Sequence, residues 1–246
     1  MGSEATWRHF GERDPYYGVI SHPEFRRDAL DAKSRATFFQ SGATTIGHWL
    51  AEAEAAIGPI ARGSALDFGC GVGRLSIPLA ARFGNVSAVD VSPGMLRELE
   101  TNRGAFGVSN IAAFNSLSAV PSDSVDFAFS LWVLQHIERR RGYELILDVF
   151  RTLRSGGAMC LEILTGTDRS GPLRAARALR HHFLPIQYAY NAMHGRSLFD
   201  RPMQMNVYDT NRIANDLFRA GAARVTLSHS DTTDRFSAAM LIATKV

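Results

Sequence analysis

Two cysteines in 246 residues, Cys70 and Cys160, are too few for a disulfide framework or a cysteine-built zinc site. A reduced, cytoplasmic protein is the expectation that follows. No run approaches the roughly 18 consecutive apolar residues that a membrane span needs. Met1 to Phe10 has no apolar core of the kind a signal peptide carries. Lysine is nearly absent: Lys33 and Lys245 stand beside 25 arginines. Arginine presents a planar fork suited to carboxylate and phosphate, so the bias matters chemically. No internal repeat or low-complexity tract is present.

Hydrophobic residues make up 46% and charged residues 21%, an ordinary globular composition. The length fits one α/β domain with additions. The net charge is +3, and it is unevenly spread. Residues 166–206 hold six arginines (169, 174, 177, 180, 196, 201) against Asp168 and Asp200, which makes that stretch +4 and the remainder −1.

The apolar pattern divides the chain into four stretches: 1–60, 61–165, 166–206 and 207–246. Residues 1–20 mix Trp7, Phe10, Tyr16 and Tyr17 with turn formers, which predicts an ordered cap. Helices are expected over 24–40 and 43–57, separated at Ser41-Gly42. Strands are expected at 64–68, 86–89, 111–114, 125–131 and 158–164. Helices alternate with them at 74–83, 93–103 and 139–153. Ser92 before Pro93 marks a helix start, and Asp209-Thr210 marks another that runs to Ala220. Two closing strands, 225–228 and 238–244, would pair antiparallel. This alternation is the signature of a parallel sheet with helices on both faces.

Asp67-Phe68-Gly69-Cys70-Gly71-Val72-Gly73 follows a strand and opens a helix. Glycines there let the backbone approach a ligand. Asp90 ends the next strand, where an acid accepts both hydroxyls of a ribose. The pair indicates an adenosine cofactor. A dinucleotide fingerprint would place its third glycine where Arg74 stands. A pyrophosphate is therefore disfavoured, and with it a nicotinamide-dependent oxidoreductase. S-adenosylmethionine, with a ribose, an adenine and a zwitterionic tail, fits better. Asp67 would attract the tail's ammonium and Arg74 its carboxylate.

The stretch from Ala65 to Gly166, carried by the segments LDFGCGVGRLSIPLA, VSAVDVSPGML, VPSDSVDFAFSLWVLQHI and LRSGGAMCLEIL, resembles class I S-adenosylmethionine-dependent methyltransferases of the bacterial small-molecule type. The resemblance implies a doubly wound, Rossmann-like α/β fold with a seven-stranded, mostly parallel sheet in the order 3-2-1-4-5-7-6. An N-terminal helical cap and an insertion after the fifth strand would complete it. The cofactor would be S-adenosyl-L-methionine, with S-adenosyl-L-homocysteine as product. By position, Asp67, Gly69, Cys70, Gly71, Gly73 and Arg74 match the cofactor loop. Asp90 matches the ribose acid, with Val91 and Met95 beside the adenine and Leu131 after the fourth strand. Family members often carry an acid after the third strand; this chain has Asn115-Ser116-Leu117, and the asparagine oxygen would take that role.

Methyl transfer from a sulfonium needs a base only when the acceptor must lose a proton. His136, after the fourth strand, is the first candidate base, although a packing or hydrogen-bonding histidine is the more ordinary use of that position. Glu162 in the fifth strand reads either as a buried, hydrogen-bonded carboxylate or as a catalytic one. Tyr16, Tyr17 and Trp132 are candidates for the acceptor wall. Arg174, Arg177, Arg180 and His181, in the basic insertion, would hold an anionic group. The partner expected is a small-molecule hydroxyl or amine, such as a sugar or specialised metabolite, acting on a monomer or homodimer without membrane or nucleic acid. Two alternatives stay open: an RNA methyltransferase whose insertion tracks phosphates, and a cofactor-binding protein of this fold that does not methylate.

Overall fold

The central strands are apolar on both faces. Ala65, Leu66, Phe127, Ala128, Met159 and Leu161 are fully enclosed, as a sheet covered on both sides requires. In the computed structural model, which describes residues 3–167, 183–193, 203–230 and 236–246, seven strands form one sheet. They are β1 Ser64–Phe68, β2 Asn85–Val89, β3 Ile111–Phe114, β4 Val125–Ser130, β5 Leu153–Thr167, β6 Ala222–Ser230 and β7 Phe236–Lys245. Their order is β3-β2-β1-β4-β5-β7-β6, as the resemblance implies. The pairs β1–β2, β1–β4, β2–β3 and β4–β5 are parallel; β7 runs antiparallel to both β5 and β6.

The helices are α1 Ser3–Arg13, α2 Pro15–Val19, α3 Ala32–Ile57, α4 Ser76–Ala80, α5 Pro93–Ala105, α6 Arg139–Thr152, α7 Leu184–Met193 and α8 Thr210–Arg219. Side chains of α3, α4 and α5 (Phe38, Ile46, Leu79, Leu99) join one apolar cluster with Phe127 and Phe129. Those of α6 and α8 (Ile146, Phe150, Ile213, Leu217) join the other with Leu66 and Leu161. Side-chain caps hold the helix starts. Ser92 Oγ accepts from the Met95 N–H, and the Asp209 carboxylate accepts from Asn211 and Arg212. A cap of this kind contributes about 1 kcal/mol. Among the described residues no helix is long and apolar enough to cross a membrane.

The structure corrects the sequence reading in four places. The expected break at Ser41-Gly42 is absent, and one helix runs from Ala32 to Ile57 behind a capping box of Asp31 and Ser34. Gly42 is there for close approach: a Cβ on it would lie 2.1 Å from the Arg74 carbonyl oxygen. The stretch 24–31 is a short 3-10 turn followed by coil. The helix expected over 74–83 shrinks to Ser76–Ala80, because Gly73 leaves the loop with φ +90° and Pro78 has no N–H to extend a ladder. Strand β5 is longer than 158–164. It starts at Leu153, opposite Val125, and absorbs Gly156-Gly157 through a register shift.

Candidate active site

The loop after β1 turns under the cofactor end of the sheet. Gly69, Gly71 and Gly73 all have left-handed backbones, with φ of +79°, +52° and +90°. At Gly69 a side chain is excluded twice, since its Cβ would also lie 2.3 Å from Val133 Cγ2. The Gly69 and Cys70 N–H groups donate to the Val89 carbonyl at 2.8 and 3.0 Å, which ties the loop to the end of β2. Asp90 is fixed by two backbone donors, Gly71 N–H at 3.0 Å and Ser92 N–H at 2.8 Å. Its remaining lone pairs can accept two more hydrogen bonds. Burial pushes the Asp90 carboxyl up to about 6, against those same two donors.

Beside the loop is a buried charge cluster. Asp67 accepts from Ser76 Oγ at 2.6 Å, and burial pushes its carboxyl up to about 7 against the pull of Ser76 and Arg74. Arg74 is 3% exposed. Burial draws its guanidinium down to about 10, while Asp67 and Glu162 oppose that shift, so it stays charged at neutral pH. Its Nη1 donates to Ser41 Oγ at 3.1 Å, and its guanidinium lies 5.1 Å from the Trp132 ring centroid. Its Nε–H is buried with no hydrogen-bond partner, a donor placed for an anionic group.

A cavity of about 1300 Å³ opens above the carboxyl ends of the strands. That exceeds the roughly 300–1,000 Å³ of a single-ligand site, so it has room for a cofactor and an acceptor together. Gly69, Cys70, Gly71, Arg74, Asp90, Val91 and Met95 line it. So do Asn115, Ser116, Leu117 and Leu131, and at the other end Trp132 and His136. Asp67 and Gly73 do not: Asp67 lies under the loop, bonded to Ser76.

Tyr16 and Tyr17 are not walls of this cavity, contrary to expectation. The Tyr16 hydroxyl donates toward Glu98 and Asn102 on α5, its ring packs on Phe38, and burial pushes its hydroxyl up to about 12. The Tyr17 ring is covered by the Arg26 guanidinium at 3.5 Å. Arg174, Arg177, Arg180 and His181 lie outside the described residues.

His136 closes a 3-10 turn, Leu134–His136, and is 8% exposed. Its Nδ1 is 2.7 Å from the Gln204 carbonyl oxygen. A carbonyl only accepts, so Nδ1 carries a proton in this contact. The segment 204–208 grips the whole turn. Asn206 donates from its backbone N–H to the Gln135 carbonyl at 2.7 Å and from Nδ2 to the Ile137 carbonyl at 2.8 Å. The Tyr208 hydroxyl, 2.8 and 3.0 Å from the Leu134 and Ile137 carbonyl oxygens, completes the grip. Trp132 has φ +60°, a left-handed backbone uncommon for an aromatic residue, directly after β4.

Several site residues were not found from sequence. Trp7 of α1 packs 4.9 Å from the His136 ring and lines the cavity. Gln135, Met203 and Met205 line it as well. Trp7, Met203 and Met205 sit in no local motif, and only the aromatic content of residues 1–20 hinted at Trp7; Gln135 sits within the segment VPSDSVDFAFSLWVLQHI beside His136.

The methyltransferase-domain family matches residues 66–161. Phosphoethanolamine N-methyltransferase 3 of Arabidopsis thaliana is 28% identical over 102 residues, which are 40% of this chain. The match spans about a fifth of that curated relative's length, 21%. Magnesium protoporphyrin IX methyltransferase from Synechocystis, solved with bound S-adenosylhomocysteine, is similar in fold. Its TM-score is 0.62 at 18% identity, over 99% of this chain and 100% of that one. Phosphoethanolamine N-methyltransferase 2 of Haemonchus contortus aligns with a TM-score of 0.56 at 14% identity, over 80% of this chain and 52% of that one.

Proposed function

The chain carries the domain of a class I S-adenosylmethionine-dependent methyltransferase, and from that premise we propose that it methylates a hydroxyl of a small molecule, with His136 as general base. The observation that carries the reading is the 2.7 Å contact of His136 Nδ1 with the Gln204 carbonyl, in a residue that lines the cofactor cavity. Bound S-adenosylmethionine would supply an electrophilic methyl carbon on a sulfonium, with S-adenosylhomocysteine as the leaving group. The chain's own residues bind, orient and take one proton. The Asp90 carboxylate, fixed by Gly71 and Ser92, accepts the ribose hydroxyls. The Arg74 guanidinium, with its spare Nε–H, holds the carboxylate of the amino-acid tail. Leu117 and Met95 are apolar walls for the adenine. His136 takes the acceptor proton on Nε2 as the oxygen attacks, and Trp7 shields it from water.

Binding tests the first half. S-adenosylhomocysteine should titrate the protein stoichiometrically, and NAD should not. Label transfer tests the second: methyl-labelled S-adenosylmethionine should pass label to a hydroxylated small molecule. His136→Gln should lower that turnover by about 10²–10⁴-fold and leave S-adenosylhomocysteine affinity unchanged. Cofactor binding with no label in any hydroxyl or amine would mean a protein of this fold that does not methylate.

A further inference from the structure

Helix α3 reaches the cofactor loop from outside the cavity. Arg35, Phe38 and Gly42, spaced three and four apart, share one face of it. Gly42 meets the Arg74 backbone at the close approach already described. Arg35 donates to Asn102 Oδ1, and the fully buried Asn102 donates in turn from Nδ2 to the Val72 carbonyl at 2.8 Å. Ser41 touches the Arg74 side chain, whose Nη1 donates to Oγ at 3.1 Å. The single hydroxyl proton of Ser41 is engaged by the Phe38 carbonyl, 2.6 Å away, so its oxygen is a fixed acceptor for Arg74. Alanine is the better helix former at such a position, so the helix itself gives no reason for a serine. Ser41 does not line the cavity; Arg74 does.

Resting on the methyltransferase reading above, we propose that Ser41 is a positioning residue for the cofactor's amino-acid tail, holding the Arg74 guanidinium so that its Nε–H edge faces the tail carboxylate. In a guanidinium, Nε–H and one N–H of Nη2 point the same way and form an edge that takes a carboxylate side-on. Nη1 lies off that edge. Ser41 holds Nη1, and Nε–H is the buried donor left without a protein partner. The Trp132 ring, 5.1 Å from the guanidinium, covers the group on another side. Remove the Ser41 oxygen, and Nη1 becomes a buried donor in need of an acceptor. Asp67 and Glu162 already act on Arg74 through their charges, and they draw the fork away from the tail. Ser41 touches no cofactor atom in this account; it acts through Arg74.

The test is calorimetric titration of the full chain with S-adenosylhomocysteine and with 5′-methylthioadenosine, which keeps the adenosine and the sulfur but has no amino-acid tail. The wild type should bind S-adenosylhomocysteine the more tightly. Ser41→Ala should weaken S-adenosylhomocysteine about tenfold, the effect of one hydrogen bond, and leave 5′-methylthioadenosine unchanged. A merely structural serine would move both ligands or neither. In an Arg74→Lys background, which has no Nε–H edge, Ser41→Ala should change S-adenosylhomocysteine affinity by less than about twofold. Where the lysine variant does not fold, the contrast between the two ligands in Ser41→Ala decides. Unchanged S-adenosylhomocysteine affinity, equal weakening of both ligands, or an undiminished effect in the lysine background overturns the inference alone. A wild type that binds both ligands equally overturns the Arg74 tail assignment and the inference with it. Failure to bind S-adenosylhomocysteine overturns the proposed function itself.

Discussion

Asp90 reaches Gly71 across 19 positions of chain, whereas Gln204 reaches His136 across 68. The two ends of one cavity are assembled in different ways. The cofactor end comes from a single strand–loop–strand–helix stretch, Asp67 to Met95, plus one turn after β3 and Leu131. Its parts are local, and backbone hydrogen bonds hold them. The acceptor end gathers Trp7 from α1, Gln135 and His136 from the turn after β4, Glu162 and Leu164 from β5, and Met203 and Met205 from the approach to α8. Side chains hold it together with the Asn206 backbone N–H, which donates to the Gln135 carbonyl. A local site can be conserved as a unit while the remote segments that complete the other end vary, so one fold serves many acceptors.

The largest effect should come from the cofactor end. Asp90→Ala removes two hydrogen bonds to a charged acceptor, each about 1.5 kcal/mol, so S-adenosylhomocysteine should bind about a hundredfold more weakly by calorimetry. An unchanged dissociation constant would break the assignment. The same carboxylate gives a pH signature. Ribose hydroxyls donate to the ionised form, and the carboxyl stands at about 6, so affinity should hold at alkaline pH and fall as pH drops through about 6. Affinity that stays flat between pH 8 and 5 would contradict it.

The acceptor end is tested next by Gly142, on α6. A Cβ there would lie 2.0 Å from the Tyr208 hydroxyl, which grips the turn at Leu134 and Ile137. In an open helix, glycine to alanine gains about 1 kcal/mol. Here Gly142→Ala should instead lose about 2 kcal/mol in urea denaturation, by displacing Tyr208 from its partners. A gain in stability would show that the grip is dispensable. The smallest effect belongs to the ion pair that links the cap to α5. Arg97 and Glu12 are 2.6 Å apart, yet both side chains are more than half exposed, at 64% and 57%. Arg97→Ala should change stability by less than about 1 kcal/mol.

The same contrast explains what was legible in the sequence. Strand order followed from element alternation together with the resemblance. The Ser92 and Asp209 caps were readable because their signals are local: a short polar side chain two or three residues before the N–H it accepts. Eleven of the thirteen expected cofactor residues line the cavity for the same reason. Gly42 misled because glycine looks alike as a breaker and as a point of close approach, and only the Arg74 carbonyl distinguishes them. Tyr16 misled because aromatic content does not say which way a ring turns, and Asn102 and Glu98, more than 80 positions away, decide that. Asn206 was invisible for a related reason: its partners lie about 70 positions away.

The account turns on His136 presenting a basic Nε2 at the acceptor end. Nitrogen-15 NMR of the histidine-labelled protein at alkaline pH measures this directly, with His136→Gln assigning the signal. The geometry predicts a ring protonated at Nδ1, where it meets the Gln204 carbonyl oxygen. A ring protonated at Nε2 would make His136 a donor to its surroundings and would remove the general base from the site.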